Sequence, residues 1–187
     1  ERRSGRPGAP AAPSLVVAPR SLVFNWKEEA ARFAPELSLV DHTGLDRPRE
    51  ARQLADADVV LTTYGTLRHD IEMLREITFD YVILDEAQAI KNPLTGAAKA
   101  SRLLHADHRL ALSGTPVENH LGELWSLFEF LNPGMLGRAT VFQRLMAGAP
   151  ESAEAGSSES RNLLARALRP FILRRTKAQV LEELPPR

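Results

Sequence analysis

The chain has 187 residues and no cysteine, which excludes a disulfide scaffold, a thiolate metal site and a cysteine nucleophile. Its 24 basic residues are balanced by 24 acidic ones, so a uniformly basic nucleic-acid coat is excluded, although a local basic face is not. No apolar run approaches the ~18 residues of a membrane span, and the charged residues 1–8 lead into no apolar core of a secretory signal. We therefore expect a globular cytoplasmic protein.

Short apolar runs alternate with amphipathic stretches after a Gly- and Pro-rich segment, residues 1–13, that predicts a flexible lead-in. The runs are mostly continuous and rich in Val, Ile and Leu, which is typical of strands buried on both faces. Their alternation with amphipathic stretches predicts an α/β fold with a parallel sheet between helices. The expected strands are 15–18, 37–40, 59–61, 82–84 and 110–112, and the expected helices are 21–33, 48–55, 67–77, 95–105 and a segment from 121 onward.

The strand pattern fades after residue 137, so we expect 14–137 to form the α/β domain and 138–187 a helical extension. Within the extension, residues 148–160 lack large apolar side chains and predict a mobile loop between helices at 141–147, 161–168 and 176–184. Residues 161–187 hold seven basic and two acidic side chains. Arg174, Arg175 and Lys177 could meet DNA phosphates or pair with carboxylates, and both readings stay open.

Polar clusters follow four of the expected strands: 19–21, 62–65, 85–88 and 113–116. Ligands of open α/β sheets bind beyond the carboxyl ends of the strands. For the clusters at Thr62 and Ser113 taken singly, ordinary turn chemistry explains the residues equally well. Four clusters on one edge of a sheet are harder to explain by packing alone and favour a binding site there.

Asp85 and Glu86 directly follow the apolar run Tyr81–Leu84. Adjacent carboxylates at the end of a buried strand are costly unless they are solvated, paired or bound to a cation. A Mg²⁺-nucleotide site needs such an Asp near the metal, and a neighbouring Glu can accept a proton from an attacking water. The alternative is a solvated acidic pair at a helix N-terminus.

The residues 85–88 (Asp-Glu-Ala-Gln) and 90–93 (Ile-Lys-Asn-Pro) resemble the Walker-B block of the Swi/Snf family of DNA-translocating ATPases in helicase superfamily two. Four further blocks follow the family's order: 18–22 resembles motif Ia, 62–64 motif Ib, 110–116 motif III, and 171–177 the block that leads out of the first lobe. The resemblance runs from residue 14 to 187. It implies a RecA-like first helicase lobe.

The resemblance also implies roles, residue by residue. Asp85 would coordinate Mg²⁺ bound to ATP, and Glu86 would polarise the hydrolytic water. Other positions would couple the nucleotide to DNA grip and lobe closure: Gln88, Ser113 and Thr115. The phosphates of one DNA strand would be touched by Pro19, Arg20, Ser21, Thr63 and Tyr64. The implied partners are double-stranded DNA, a second helicase lobe of the same chain and a DNA-bound protein target.

None of the 11 glycines is followed by lysine, so these residues contain no Gly-Lys-Ser/Thr phosphate loop. The family places that loop before motif Ia, so we expect a partial lobe without its Walker-A strand and helix, inactive alone. The expected parent is an ATP-dependent translocase that remodels protein–DNA complexes in the bacterial cytoplasm, or in the nucleus if eukaryotic. A bound polymerase is one alternative target; another hypothesis is a non-catalytic DNA- or protein-binding module.

Two further interpretations concern aromatic and histidine side chains. Trp26 and Trp125 lie at helical spacing and are expected in the core rather than as base-stacking platforms. His105 and His108 are three residues apart across an expected turn, a spacing that does not favour a metal site.

Overall fold

A computed structural model of the protein describes residues 12–114, 121–142 and 163–175. The chain divides into two compact units, Glu1–Ala139 and Thr140–Arg187. The expected lead-in up to residue 11, the loop 148–160 and the helix 176–184 lie outside the described residues. Pro13, at the end of that lead-in, is buried, and its carbonyl accepts a hydrogen bond of 2.9 Å from the amide of Asp80.

The first unit contains one sheet of five parallel strands in the order β2-β3-β1-β4-β5. This arrangement confirms the predicted parallel α/β fold. In chain order the strands are β1 Ser14–Ala18, β2 Leu39–His42, β3 Val59–Thr63, β4 Thr78–Leu84 and β5 His105–Ala111.

Helices connect the strands, and threonines begin two of them. Thr63 accepts a hydrogen bond from the amide of Thr66, and Thr95 accepts one from the amide of Ala98, which satisfies amides that have no partner within a first helical turn. The helices are α1 Val23–Phe33, α2 Arg52–Ala55, α3 Tyr64–Leu74, α4 Gly96–Leu103 and α5 Leu121–Leu131, with 3-10 turns at Arg20–Leu22 and Ala87–Ile90.

Each face of the sheet has its own apolar cluster. On one face, α1 packs with Val23 and Trp26 against a small cluster of strand residues: Val16, Ala18 and Leu61. On the other face, the side chains of α2 to α5 enclose the larger core, in which Phe79 and Phe130 are fully buried. The chain therefore leaves β1 toward one face and leaves β4 toward the other.

Several expected elements differ from those observed. α3 spans 64–74 where 67–77 was expected, and β4 begins at residue 78 where 82 was expected. β2 lies two residues later than predicted. The helix expected over 48–55 shortens to α2, because the side-chain amide oxygen of Gln53 accepts from the amides of Arg49 and Glu50 before the helix begins. The expected turn between His105 and His108 is wrong: both lie in β5, where pairing with β4 extends the strand and His108 stacks on Tyr81 with ring centroids 4.6 Å apart.

In the second unit, residues 140–142 and 163–168 are helical and a 3-10 turn follows at Arg169–Phe171. These helical residues agree with the expected helices at 141–147 and 161–168 where those are described. Among the described residues of the whole chain, no helix is long and apolar enough to cross a membrane.

Candidate nucleotide and DNA site

The strand register brings the polar clusters to one edge of the sheet. Ala18 lies opposite Thr63 on the neighbouring strand, and Leu84 lies opposite Ala111. The carboxyl ends of β1, β3, β4 and β5 therefore share that edge. Because the chain leaves β1 and β4 toward opposite faces, the point between these two adjacent strands is where open α/β sheets bind ligands.

Asp85 lies at this point and is held on both its main chain and its side chain. Its amide donates to the carbonyl of Val17 (2.8 Å), which continues the pairing of β4 with β1. Its carboxylate Oδ2 accepts from Trp26 Nε1 (2.8 Å) and Oδ1 accepts from the amide of Glu86 (2.9 Å). The Tyr64 hydroxyl donates to its carbonyl (2.7 Å). The orientation of this carboxylate is therefore specified by its neighbours.

Glu86 has a left-handed backbone, with φ 48° and ψ 54°. This conformation is unfavourable for a residue with a Cβ and is typical of functional sites, where it costs on the order of 1–3 kcal/mol. Hydrogen bonds on both sides maintain it: Asp85 bonds to β1, and the amide of Ala87 donates to the carbonyl of Leu112 (2.8 Å). The strained turn is therefore held by main-chain bonds on both sides of Glu86.

A hydrogen-bonded relay joins Glu86 to the end of β5. Gln88 Nε2 donates to Glu86 Oε2 (2.7 Å), and the Ser113 hydroxyl donates to Gln88 Oε1 (3.0 Å). The structure thus brings together two of the three residues expected to couple the site to lobe closure. The third, Thr115, lies outside the described residues, and the coupling role of all three stays a prediction.

The residues expected to contact DNA lie on the same edge. Arg20 and Ser21 are exposed in the 3-10 turn that follows β1, and Pro19 is half-buried before it. The Thr63 hydroxyl caps α3, and the Tyr64 hydroxyl points to Asp85. The hydroxyls of this second pair therefore serve contacts within the protein, and their DNA contact stays a prediction.

Arg174 and Arg175 are exposed in the second unit. Lys177 lies outside the described residues. The choice between DNA phosphate and carboxylate partners for these three cations stays open.

Trp26 is the site residue that sequence reasoning missed. The side chain packs against the sheet, as expected of a core residue, but its indole nitrogen reaches the Asp85 carboxylate. The sequence signal was an aromatic donor one turn into the helix that follows the motif Ia block. Trp125 instead donates to the carbonyl of Gly137 (2.8 Å).

The electrostatics of the edge reflect its acidic pair. Burial raises the pKa of the Tyr64 hydroxyl, and the charges of Asp85 and Glu86 raise it further, so Tyr64 stays a neutral donor. The described residues contain no group of three or more His, Cys, Asp or Glu side chains that could enclose a metal. One or two carboxylates fit Mg²⁺ that is held mainly by nucleotide phosphates and water.

Comparison with known proteins gives the family. A family model described as the SNF2-related domain matches residues 4–187. The chain belongs to the SNF2-related family. This confirms the resemblance to Swi/Snf ATPases. The chain also has the fold of a solved structure, the Sulfolobus solfataricus SWI2/SNF2 ATPase core in complex with dsDNA. The two are 42% identical with a TM-score of 0.77, and the match covers 89% of this chain and 34% of the archaeal chain.

Curated relatives of this SNF2-related chain are much longer proteins. TATA-binding protein-associated factor mot1 of Aspergillus fumigatus is 41% identical over 197 residues, which cover 99% of this chain and 10% of that protein. A Mycoplasma genitalium protein named uncharacterized ATP-dependent helicase MG018 is 38% identical over 174 residues, which cover 92% of this chain and 16% of that protein. The chain therefore spans only a small part of these relatives.

Proposed function

We propose that the protein containing this chain is an ATP-dependent translocase on double-stranded DNA that remodels protein–DNA complexes. The observation that carries the proposal is the Asp85–Glu86 pair at the carboxyl end of β4, held in a strained turn and connected to β5 through Gln88 and Ser113. The name of the Mycoplasma relative supports ATP use, and the dsDNA in the archaeal complex supports the nucleic acid.

In this proposal the two carboxylates have different tasks. Asp85 would hold Mg²⁺ through its carboxylate, directly or through water, and Mg²⁺ would neutralise charge on the phosphates of ATP. Glu86 would accept the proton of the attacking water. Gln88 Nε2 donates to one Glu86 oxygen, Oε2, and would so help to orient this carboxylate. Thr115 would join Ser113 in sensing the nucleotide.

DNA would bind along the same edge through residues that contact phosphates rather than bases. Arg20 would supply a cation, and the exposed Ser21 hydroxyl and main-chain amides would supply donors, which position a backbone without reading its sequence. The binding should therefore be largely sequence-independent and strongly salt-dependent. Such a protein would work in association with DNA and with the proteins bound to it. The contributing residues of this edge are Pro19, Arg20, Ser21, Thr63 and Tyr64. Arg174, Arg175 and Lys177 belong to the second unit and would meet either DNA phosphates or carboxylates.

The test is ATP turnover by the full-length protein with and without duplex DNA, in wild type and in Glu86→Gln. We expect duplex-stimulated turnover that collapses in Glu86→Gln, because the variant keeps the size of the side chain and removes the base. Glu76→Gln, at an exposed carboxylate outside the site, is the matched control and should retain turnover. Glu86→Gln with wild-type turnover would refute the assigned base.

A second candidate is a non-catalytic binding module, favoured by the lack of a Gly-Lys-Ser/Thr sequence in these 187 residues. For the same reason we expect these residues by themselves to be inactive as an ATPase. Full-length wild-type protein without turnover but with salt-dependent duplex binding would favour the module over the motor.

A further inference from the structure

We propose that Trp26 and Tyr64 are positioning residues that connect the two DNA-facing segments to Asp85, so that DNA binding sets the orientation of the Mg²⁺-binding carboxylate. The inference rests on the proposed function and deepens it. It assigns to the indole N–H and the phenol O–H a role beyond the packing of their rings.

Trp26 connects the first segment. It lies on α1, directly after the 3-10 turn that carries Arg20 and Ser21. Its ring packs on the sheet face, and Nε1 donates to Asp85 Oδ2 at 2.8 Å across 59 residues of sequence. A hydrogen bond to an ionised carboxylate at this distance is stronger and more directional than one between neutral groups. A shift of α1 would therefore change the orientation of the Asp85 carboxylate.

Tyr64 connects the second segment. It is the first residue of α3, next to Thr63, and its hydroxyl donates to the Asp85 carbonyl at 2.7 Å. The two aromatic donors thus meet on one residue, one at the carboxylate and the other at the main chain. Together with the bond from Asp85 to Val17 they place both DNA-facing segments one hydrogen bond away from Asp85, the first at its carboxylate and the second at its main chain.

Ring packing alone does not account for this convergence. Both side chains are only partly buried, yet each places its one polar hydrogen on the same residue, Asp85. Trp125 shows the alternative within the same unit, since its Nε1 bonds a loop carbonyl at Gly137. Outer-shell donors that orient a ligating carboxylate typically change metal affinity or activity by 10–100-fold when removed.

The test uses Trp26→Phe and Tyr64→Phe in the full-length protein, because each keeps an aromatic ring and removes one donor. Trp125→Phe is the matched control, since it removes an indole hydrogen bond elsewhere. The first measurement is the affinity for a fluorescent ADP with and without Mg²⁺, by anisotropy. The second is the fold-stimulation of ATP turnover by duplex DNA, together with duplex affinity at fixed salt.

We expect Trp26→Phe to weaken Mg²⁺-dependent ADP binding on the order of tenfold, with little change in binding without Mg²⁺. DNA stimulation should fall while duplex affinity stays at the wild-type value. A purely structural defect would weaken ADP binding equally with and without Mg²⁺, and that result would overturn the proposal. Wild-type behaviour of both Trp26→Phe and Tyr64→Phe would overturn it as well.

The outcomes separate this inference from the proposed function. A wild-type protein that binds Mg²⁺-ADP but shows no DNA-stimulated turnover would refute the motor. The comparison of ADP affinities would then still decide whether Trp26 orients Asp85. If Trp26→Phe proves unstable, Tyr64→Phe carries the test through the two ADP affinities alone, because its hydroxyl reaches Asp85 and the residue also belongs to the proposed DNA-contact set.

Discussion

Replacing Asp70 by Asn should loosen the junction of β2 and α3. Asp70 lies at a non-helical position inside α3 (φ −107°, ψ 16°). Its carboxylate accepts from Arg47 Nε and Nη2, the latter at 2.9 Å, and pairs with Nε2 of His42 at 3.0 Å. The His42 side chain is fully buried, and those of Asp70 and Arg47 are only 14% and 13% exposed. Asn preserves the volume but removes the charge that these groups share.

The cost follows from this burial. Removing one partner of a buried ion pair costs about 3–5 kcal/mol, because the remaining charge stays desolvated. Because Asp70 and Arg47 are only partly buried, we expect the cost to be no more than this lower limit, about 3 kcal/mol. Among the described residues, Nδ1 of His42 already has no partner, so the ring cannot compensate. A loss of this size raises the population of locally opened protein roughly 100-fold.

Hydrogen exchange of the full-length protein, read by mass spectrometry on peptides from β2 and α3, measures that opening directly. We expect exchange in these peptides to accelerate roughly 100-fold in Asp70→Asn. Asp46→Asn is the control, because it removes a carboxylate from an exposed position of the neighbouring loop. Equal exchange in the two variants would show that the partly buried Arg47–Asp70 pair does not stabilise this junction.

Three further predictions concern pH, the core and a buried hydroxyl. Burial lowers the pKa of His42; the charge of Arg47 lowers it too, whereas Asp70 raises it, and the net shift is downward. The unfolded chain therefore binds a proton at a higher pH than the folded protein does, and the free energy of unfolding should fall as the pH drops below about 6.5. Urea midpoints at pH 7.5 and 5.5 measure this; a higher midpoint at pH 5.5 would contradict it. Phe79→Ala should cost about 3–5 kcal/mol by urea denaturation, because the ring is fully buried in the larger core. Ser126→Ala should cost about 1–3 kcal/mol by the same assay, because its hydroxyl bonds a buried main-chain carbonyl at 2.6 Å; no loss would show that water replaces it.

Much of the fold follows from local pattern. β1 and β3 coincide with continuous apolar runs, and the acidic pair follows β4 as expected. Such predictions succeed because side-chain periodicity and strand burial are expressed within a few residues of sequence. The predictions failed where local pattern was weak. β5 begins with His105 to Arg109, of which only Ala106 is apolar, and pairing with β4 makes them a strand.

The candidate site divides in the same way. The sequence by itself determined which chemistry is present: Asp85 and Glu86 after an apolar strand, and hydroxyl- and cation-bearing clusters after three others. Only the tertiary structure decided which groups meet. The side-chain donors to Asp85 come from 59 and 21 residues away, and the left-handed turn at Glu86 is maintained by bonds to β1 and to the residue after β5. Residue type determines which functional groups are available. The orientation of those groups depends on strand register and helix placement, which the packing of distant segments determines.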